Sequence, residues 1–131
     1  MPLGSTLALS APAEAASVPM LRREVVGFVM GIDVCQERTE DIRLAVSEAL
    51  SNAVIHAYRH TDGPGKLEVS AARTADAVEV IVRDCGSGMA PRDDSPGLGL
   101  GLPVIAHTTD CYEIQCADGT TGTEIRMRFD C

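Results

Sequence analysis

Glu48 and Asn52 are separated by Ala49-Leu50-Ser51, so on a helix their side chains stand one turn apart on the same edge. A carboxamide oxygen is a neutral, hard ligand for Mg²⁺, and a carboxylate one turn away can orient or deprotonate an attacking hydroxyl. The pair therefore suits phosphoryl transfer, where positioning and charge stabilisation do most of the work. In isolation the same spacing reads as a solvated helix edge.

Three further segments carry residues of a compatible type. Asp84-Cys85-Gly86-Ser87-Gly88-Met89 follows a strand-like run. There Asp84 can accept a hydrogen bond from an exocyclic amine such as that of adenine, and glycines two and four residues on allow close backbone approach. A polar turn leaving a strand would use the same residues. Gly97-Leu98-Gly99-Leu100-Gly101-Leu102-Pro103 opens onto a helix, where free backbone N–H groups can meet phosphate oxygens; a mobile linker is the alternative. The spacing is neither the dinucleotide-binding GxGxxG nor a GxxxxGK[ST] loop. Last, Gly119-Thr120-Thr121-Gly122-Thr123 reads by itself as a hairpin turn.

The elements that must hold these residues follow from periodicity. Thr6 to Ala11 alternates and ends at Pro12, as a strand running into a turn does. From Glu14 to Met30 apolar residues recur at helical spacing (Val18, Leu21, Val25, Phe28, Val29), with Pro19 placing the true start near Ala16 or Ser17 and Gly31 at the C-cap. A second helix is expected from an N-cap at Thr39 to about Tyr58, with Ile42, Val46, Ala49, Leu50, Ala53 and Ala57 as its apolar face. After the turn residues Thr61 to Gly65, strands around Leu67–Ala72 and Val78–Arg83 form an antiparallel hairpin. Asp84 to Gly101 is expected to be loop, Pro103 to open a short helix through His107, and Tyr112–Cys116 and Thr123–Phe129 to be strands around Asp118-Gly119. The pattern predicts one domain over residues 1–131, an α/β (α+β) two-layer sandwich with helices on one face of a mixed, mostly antiparallel sheet. Met1 to Ser5 carries no functional weight.

Composition removes several classes of function. The chain has 131 residues, 45% of them hydrophobic, which suits a folded globular domain. A formal charge of −8 argues against nucleic-acid binding, as do two Tyr, two Phe and no Trp. No apolar run approaches membrane-spanning length and no leader-like segment opens the chain, so a cytoplasmic, membrane-free protein is expected. The five cysteines (Cys35, Cys85, Cys111, Cys116, Cys131) lack CxxC or paired spacing, which predicts reduced thiols. His56 reads as a packed histidine, because no second ligand stands at metal spacing, and the Arg22-Arg23 face as solvated or, alternatively, as a docking surface.

Taken together, Glu48-xxx-Asn52, Asp84-x-Gly86-x-Gly88, Gly99-x-Gly101 and Gly122-Thr123 resemble, in order, the four motifs of the GHKL (Bergerat-fold) ATPases. Val46 to Tyr58 looks most like the small bacterial anti-sigma-factor serine kinases. The resemblance implies ATP/ADP and Mg²⁺ as cofactors, with Asn52 on the metal and Glu48 as general base toward a substrate serine. It puts Asp84 on adenine, Gly86 and Gly88 along the base and ribose, Gly99 and Gly101 around the phosphates and Thr123 at the adenine end, with Met89, Gly97, Leu98, Leu100 and Leu102 also in the nucleotide-binding set. Arg92, the one cation between Met89 and Gly97, would meet the γ-phosphate, although Asp93 and Asp94 oppose that role. The implied partners are a sigma factor, a STAS-domain anti-anti-sigma protein as phosphoacceptor, and a second copy of the chain. The alternative is a nucleotide-sensing regulatory module with little or no catalysis.

Overall fold

The computed structural model describes residues 4–60, 65–84, 98–116 and 122–131. Its elements are β1 (Thr6–Pro12), α1 (Ser17–Met30), a short 3-10 helix (Asp33–Arg38), α2 (Thr39–His60), β2 (Lys66–Arg73), β3 (Ala77–Asp84), α3 (Leu98–Thr108), β4 (Cys111–Cys116) and β5 (Thr123–Asp130). The strands form one sheet in the order β1-β2-β3-β5-β4, and each neighbouring pair is antiparallel. Leu67, Val69 and Ala71 of β2, Val78, Val80 and Val82 of β3, and Ile125, Met127 and Phe129 of β5 are buried at alternate positions. They share one core with Leu21, Val25 and Val29 of α1, Ile42, Val46 and Leu50 of α2, and Ile105 of α3. The expected two-layer sandwich is thus realised with all described pairings antiparallel, and burial of each large side chain contributes about 1.5–3 kcal/mol.

Two helix starts differ from expectation. Thr39 is not an N-cap: its backbone is already helical (φ −57, ψ −44) and its N–H donates to the Gln36 carbonyl, because the 3-10 helix runs directly into α2. Glu40 and Asp41 still occupy the first turn, where they favour the positive end of the helix dipole. The second difference matters more for the site. α3 begins at Leu98, so Gly99 and Gly101 are helical rather than loop, and Pro103 lies inside the helix rather than at its first position. Glycine is a poor helix former, but packing of an apolar face outweighs propensity. Here Ile105 is buried and Leu102 packs against the core. Pro103 has no N–H to offer the Gly99 carbonyl, and a glycine there gives the proline ring the most tolerant backbone to approach.

The cysteine expectation is also corrected. Cys35 and Cys131, 96 residues apart, form a disulfide, while Cys111 is a free, exposed thiol. Their pairing is a product of topology: β5 returns the C-terminus beside the 3-10 helix, and no spacing rule reports that. Closing so long a loop stabilises the fold by about 4–5 kcal/mol in the chain-entropy account. In a reducing compartment the pair would be two thiols.

Candidate nucleotide site

Pleat parity decides where Asp84 and Thr123 point. Asp84 follows Val78, Val80 and Val82 on the helix-facing side of β3, and Thr123 precedes Ile125, Met127 and Phe129 on the same side of β5. The two are directly opposite in the β3–β5 ladder, and both are buried at 2% exposure. Each side chain therefore carries polar atoms into an otherwise apolar layer at one end of the sheet.

α2 supplies the second half. Ile42, Val46, Ala49, Leu50 and Ala53 are buried on its core face, as periodicity predicts. That seam leaves Glu48 half-buried at the border and takes Asn52, one turn on, to 3% exposure. The Asn52 Nδ2 atom is buried with no hydrogen-bond partner among the described residues. An amide in that state costs about 1–3 kcal/mol unless something else supplies an acceptor. α2 packs against both β3, which ends at Asp84, and α3, which starts in the glycine-rich segment. Helix starts expose unpaired N–H groups and a positive dipole end, which suits an anionic ligand.

Of the residues expected to bind nucleotide, Glu48, Asn52, Asp84, Leu102 and Thr123 are placed as above, with Leu102 partly buried against the core. Leu98, Gly99, Leu100 and Gly101 form the first turn of α3. Gly86, Gly88, Met89, Arg92 and Gly97 lie outside the described residues, as do Cys85 and the Asp118-Gly119 turn. Among the described residues no cluster of three His, Cys, Asp or Glu side chains could cage a metal. Mg²⁺ in nucleotide sites is held by one or two protein oxygens together with substrate phosphates, so a single buried amide beside a carboxylate fits that role. A groove of about 360 Å³ on the outer side of the helices, lined by Pro19, Arg22, Arg23, Met30 and Arg43 among others, shares none of these residues.

Sequence reasoning overlooked two charged clusters that frame the site. On the other face of the sheet, Glu124 accepts hydrogen bonds from Arg83, Arg126 and Gln115. Its carboxyl is held down at about 2, chiefly by the Arg83 hydrogen bond acting against burial, with Arg126 and Gln115 adding to it. At the opposite end of the sheet, Arg38 donates to Asp41 (3.1 Å), Asp110 (2.7 Å) and the carbonyls of Thr108 and Asp130 (both 2.9 Å). The signal for Glu124 was available: Arg83 and Glu124 immediately flank Asp84 and Thr123 in sequence. No local pattern announces Arg38.

Helices packed on one face of a five-stranded antiparallel sheet, with polar residues buried on α2 and at the ends of β3 and β5, set the frame for comparison with known proteins. The sequence profile of the histidine kinase-like ATPase domain matches residues 11–129, and the chain belongs to that family. Within the family it is of the serine-protein kinase, anti-sigma-factor type. The serine-protein kinase RsbW of Bacillus licheniformis is 32% identical over 130 residues, spanning 93% of this chain and 77% of that protein. An anti-sigma F factor of Heyndrickxia coagulans is 34% identical over 119 residues, with 82% and 80% covered. Among solved structures, the RsbU and RsbW domains of a Mycobacterium tuberculosis protein match with a TM-score of 0.66 at 22% identity, over 95% of this chain and 31% of that one. A chain of the SiaB–SiaC complex from Pseudomonas aeruginosa matches with a TM-score of 0.64 at 14% identity, over 95% and 89%. At those identities the structural likeness establishes the fold. Among the described residues, no helix is long and apolar enough to cross a membrane.

Proposed function

We propose that the chain transfers a phosphoryl group from Mg·ATP to a serine of a STAS-domain anti-anti-sigma protein and, when that partner is absent or already modified, holds a sigma factor inactive in the cytoplasm. The observation that carries this reading is the burial of the Asn52 amide one helical turn from the half-buried Glu48; its orphaned Nδ2–H calls for an acceptor, as a phosphate oxygen is, and leaves the amide oxygen to a cation. The names of the relatives, serine-protein kinase and anti-sigma F factor, support the choice of reaction and partners.

Bound Mg·ATP supplies the phosphoryl group and the cation that neutralises its charge. Asn52 presents its amide oxygen to the cation, and Glu48 accepts the proton of the attacking serine hydroxyl. Asp84 accepts a hydrogen bond from the exocyclic amine of adenine, and Thr123 completes that end. The backbone N–H groups of the first turn of α3, from Leu98 to Gly101, meet phosphate oxygens, with Gly97 before them and Leu102 anchoring the turn on the core. Gly86, Gly88 and Met89 line the base and ribose in the same reading, and Arg92 meets the γ-phosphate. Burial of Asn52, Asp84 and Thr123 would strengthen their contacts, as electrostatic preorganisation does in phosphoryl transfer.

The test is incubation of the purified chain with labelled ATP and a STAS-domain protein, alongside binding of both partners in ATP and in ADP. Label on a serine of the STAS protein is the expected result. Nucleotide-dependent binding with no label transferred would replace the kinase by a nucleotide-sensing module.

A further inference from the structure

The rung of the sheet next to the adenine-facing one carries an unusual row on the opposite face. Glu68 of β2 stands across from Arg83, Arg83 across from Glu124, and Glu124 across from Gln115. Nothing among the described residues forms a second layer over this face, so packing does not force any of these groups out of water. Even so, the Glu124 side chain is only 4% exposed, while Arg83 and Arg126 above it are 43% and 49% exposed. The arginine stems cover the carboxylate and keep their charged ends in solvent. Both Glu124 oxygens are used: Oε1 accepts from Arg83 Nε at 3.2 Å and from Arg83 Nη2, and Oε2 accepts from Arg126 Nε at 2.7 Å and Gln115 Nε2 at 2.8 Å. Three strands are thereby fastened together one residue from the end where Asp84 and Thr123 face the helices.

We propose that Glu124 is a positioning residue for nucleotide recognition: through Arg83 and Gln115 it fixes the last rung of β3, β5 and β4, and so the spacing of Asp84 from Thr123. This rests on Asp84 being the adenine contact. A carboxylate that reads an exocyclic amine separates adenine from guanine only while it is held to a fraction of an ångström. Loosening the rung therefore costs ATP more than GTP. A merely structural clamp would lower stability and leave the ratio of the two affinities alone. The Arg38 cluster at the far end of the sheet provides that contrast, since it also ties a strand end to neighbouring elements through a guanidinium and carboxylates.

The experiment measures, by calorimetry on the full chain, the dissociation constants of Mg·ATP and Mg·GTP for the parent and for E124Q, Q115A, R38A and D84N. Expected is a loss of about five-fold in ATP affinity for E124Q with GTP nearly unchanged, and about two-fold for Q115A, which removes one of the four hydrogen bonds. R38A should unfold more easily and keep the parental ATP-to-GTP ratio. A folded E124Q with the parental ratio, while D84N loses it, overturns the role of Glu124. If E124Q does not fold, a Q115A ratio equal to the parent's overturns it instead. Retention of the ratio by D84N removes the adenine contact itself, and the proposal falls with it.

Discussion

The two ends of the β3–β5 ladder treat polar groups in opposite ways: partly exposed and paired at one, buried at the other. At the Ala77–Asp130 end, Arg38 satisfies two carboxylates and two carbonyls, its guanidinium lies 5.8 Å from the centre of the Phe129 ring, and Cys35–Cys131 closes the chain beside it. The Asp110 carboxyl is pulled below its ordinary range there, first by the backbone N–H of Asp130 and then by Arg38. At the Asp84–Thr123 end, the amide of Asn52 is buried with a donor unsatisfied among the described residues. The first end is fully paired within the fold, whereas the second holds a buried donor with no acceptor among the described residues. A protein with modest total stability can carry such an unsatisfied group only if other regions over-satisfy theirs.

The sharpest way to break this contrast is at Glu48. Replacing it with alanine should slow serine phosphorylation by about 10²–10⁴-fold, the usual contribution of a general base, with Mg·ATP affinity within about three-fold of the parent. Phosphorylation at the parental rate would remove Glu48 from that role. Next in size is the closed end. Reducing the Cys35–Cys131 bond, or making C131S, should lower unfolding free energy by about 3–5 kcal/mol in urea titrations and leave nucleotide affinity unchanged. A parallel fall in affinity would mean that the two ends are coupled.

Asn52 offers the reverse experiment. Asn52→Leu should weaken Mg·ATP binding by about 10²-fold and leave the nucleotide-free protein as stable or slightly more so, because the change removes a buried donor without a partner. Calorimetry and thermal unfolding of the same sample check both halves. The smallest effect concerns acid. Glu124 sits at about 2 against 4.5 for an ordinary glutamate, so its stabilisation is complete above pH 4.5 and disappears as pH falls toward 2. Water around the half-exposed arginines limits the loss to about 1–2 kcal/mol. Unfolding followed from pH 5 to pH 2.5 should show that slope in the parent and a shallower one in E124Q. Asp110 contributes with the same sign at the other end, so R38A should also flatten the acid limb.

The faces that carry the candidate residues were legible before any coordinates. The apolar seam of α2 places Glu48 and Asn52 by arithmetic at 100° per residue, and alternation along β3 and β5 sends Asp84 and Thr123 to the buried face. The glycines at 99 and 101 were not legible as helix, because local propensity at Gly-Leu-Gly-Leu-Gly favours loop while packing of Leu102 and Ile105 against the core favours α3. Of the hydrogen bonds on the other face, only the flanking positions of Arg83 and Glu124 gave a sequence signal; the pairing itself, and the burial of Glu124, depend on strand order.

What the chain order by itself determined is which residues share a face: period 3.6 and period 2 are local properties, carried by side chains a few positions apart. What only the tertiary structure decided is which faces meet. The Cys35–Cys131 bond, the reach of Arg38 to Asp110 and Asp130, and the pairing of Arg83 with Glu124 join residues 41 to 96 positions apart. Contacts at such separations depend on how the strands are ordered in the sheet, and strand order follows from burial of the whole core at once rather than from any segment of it.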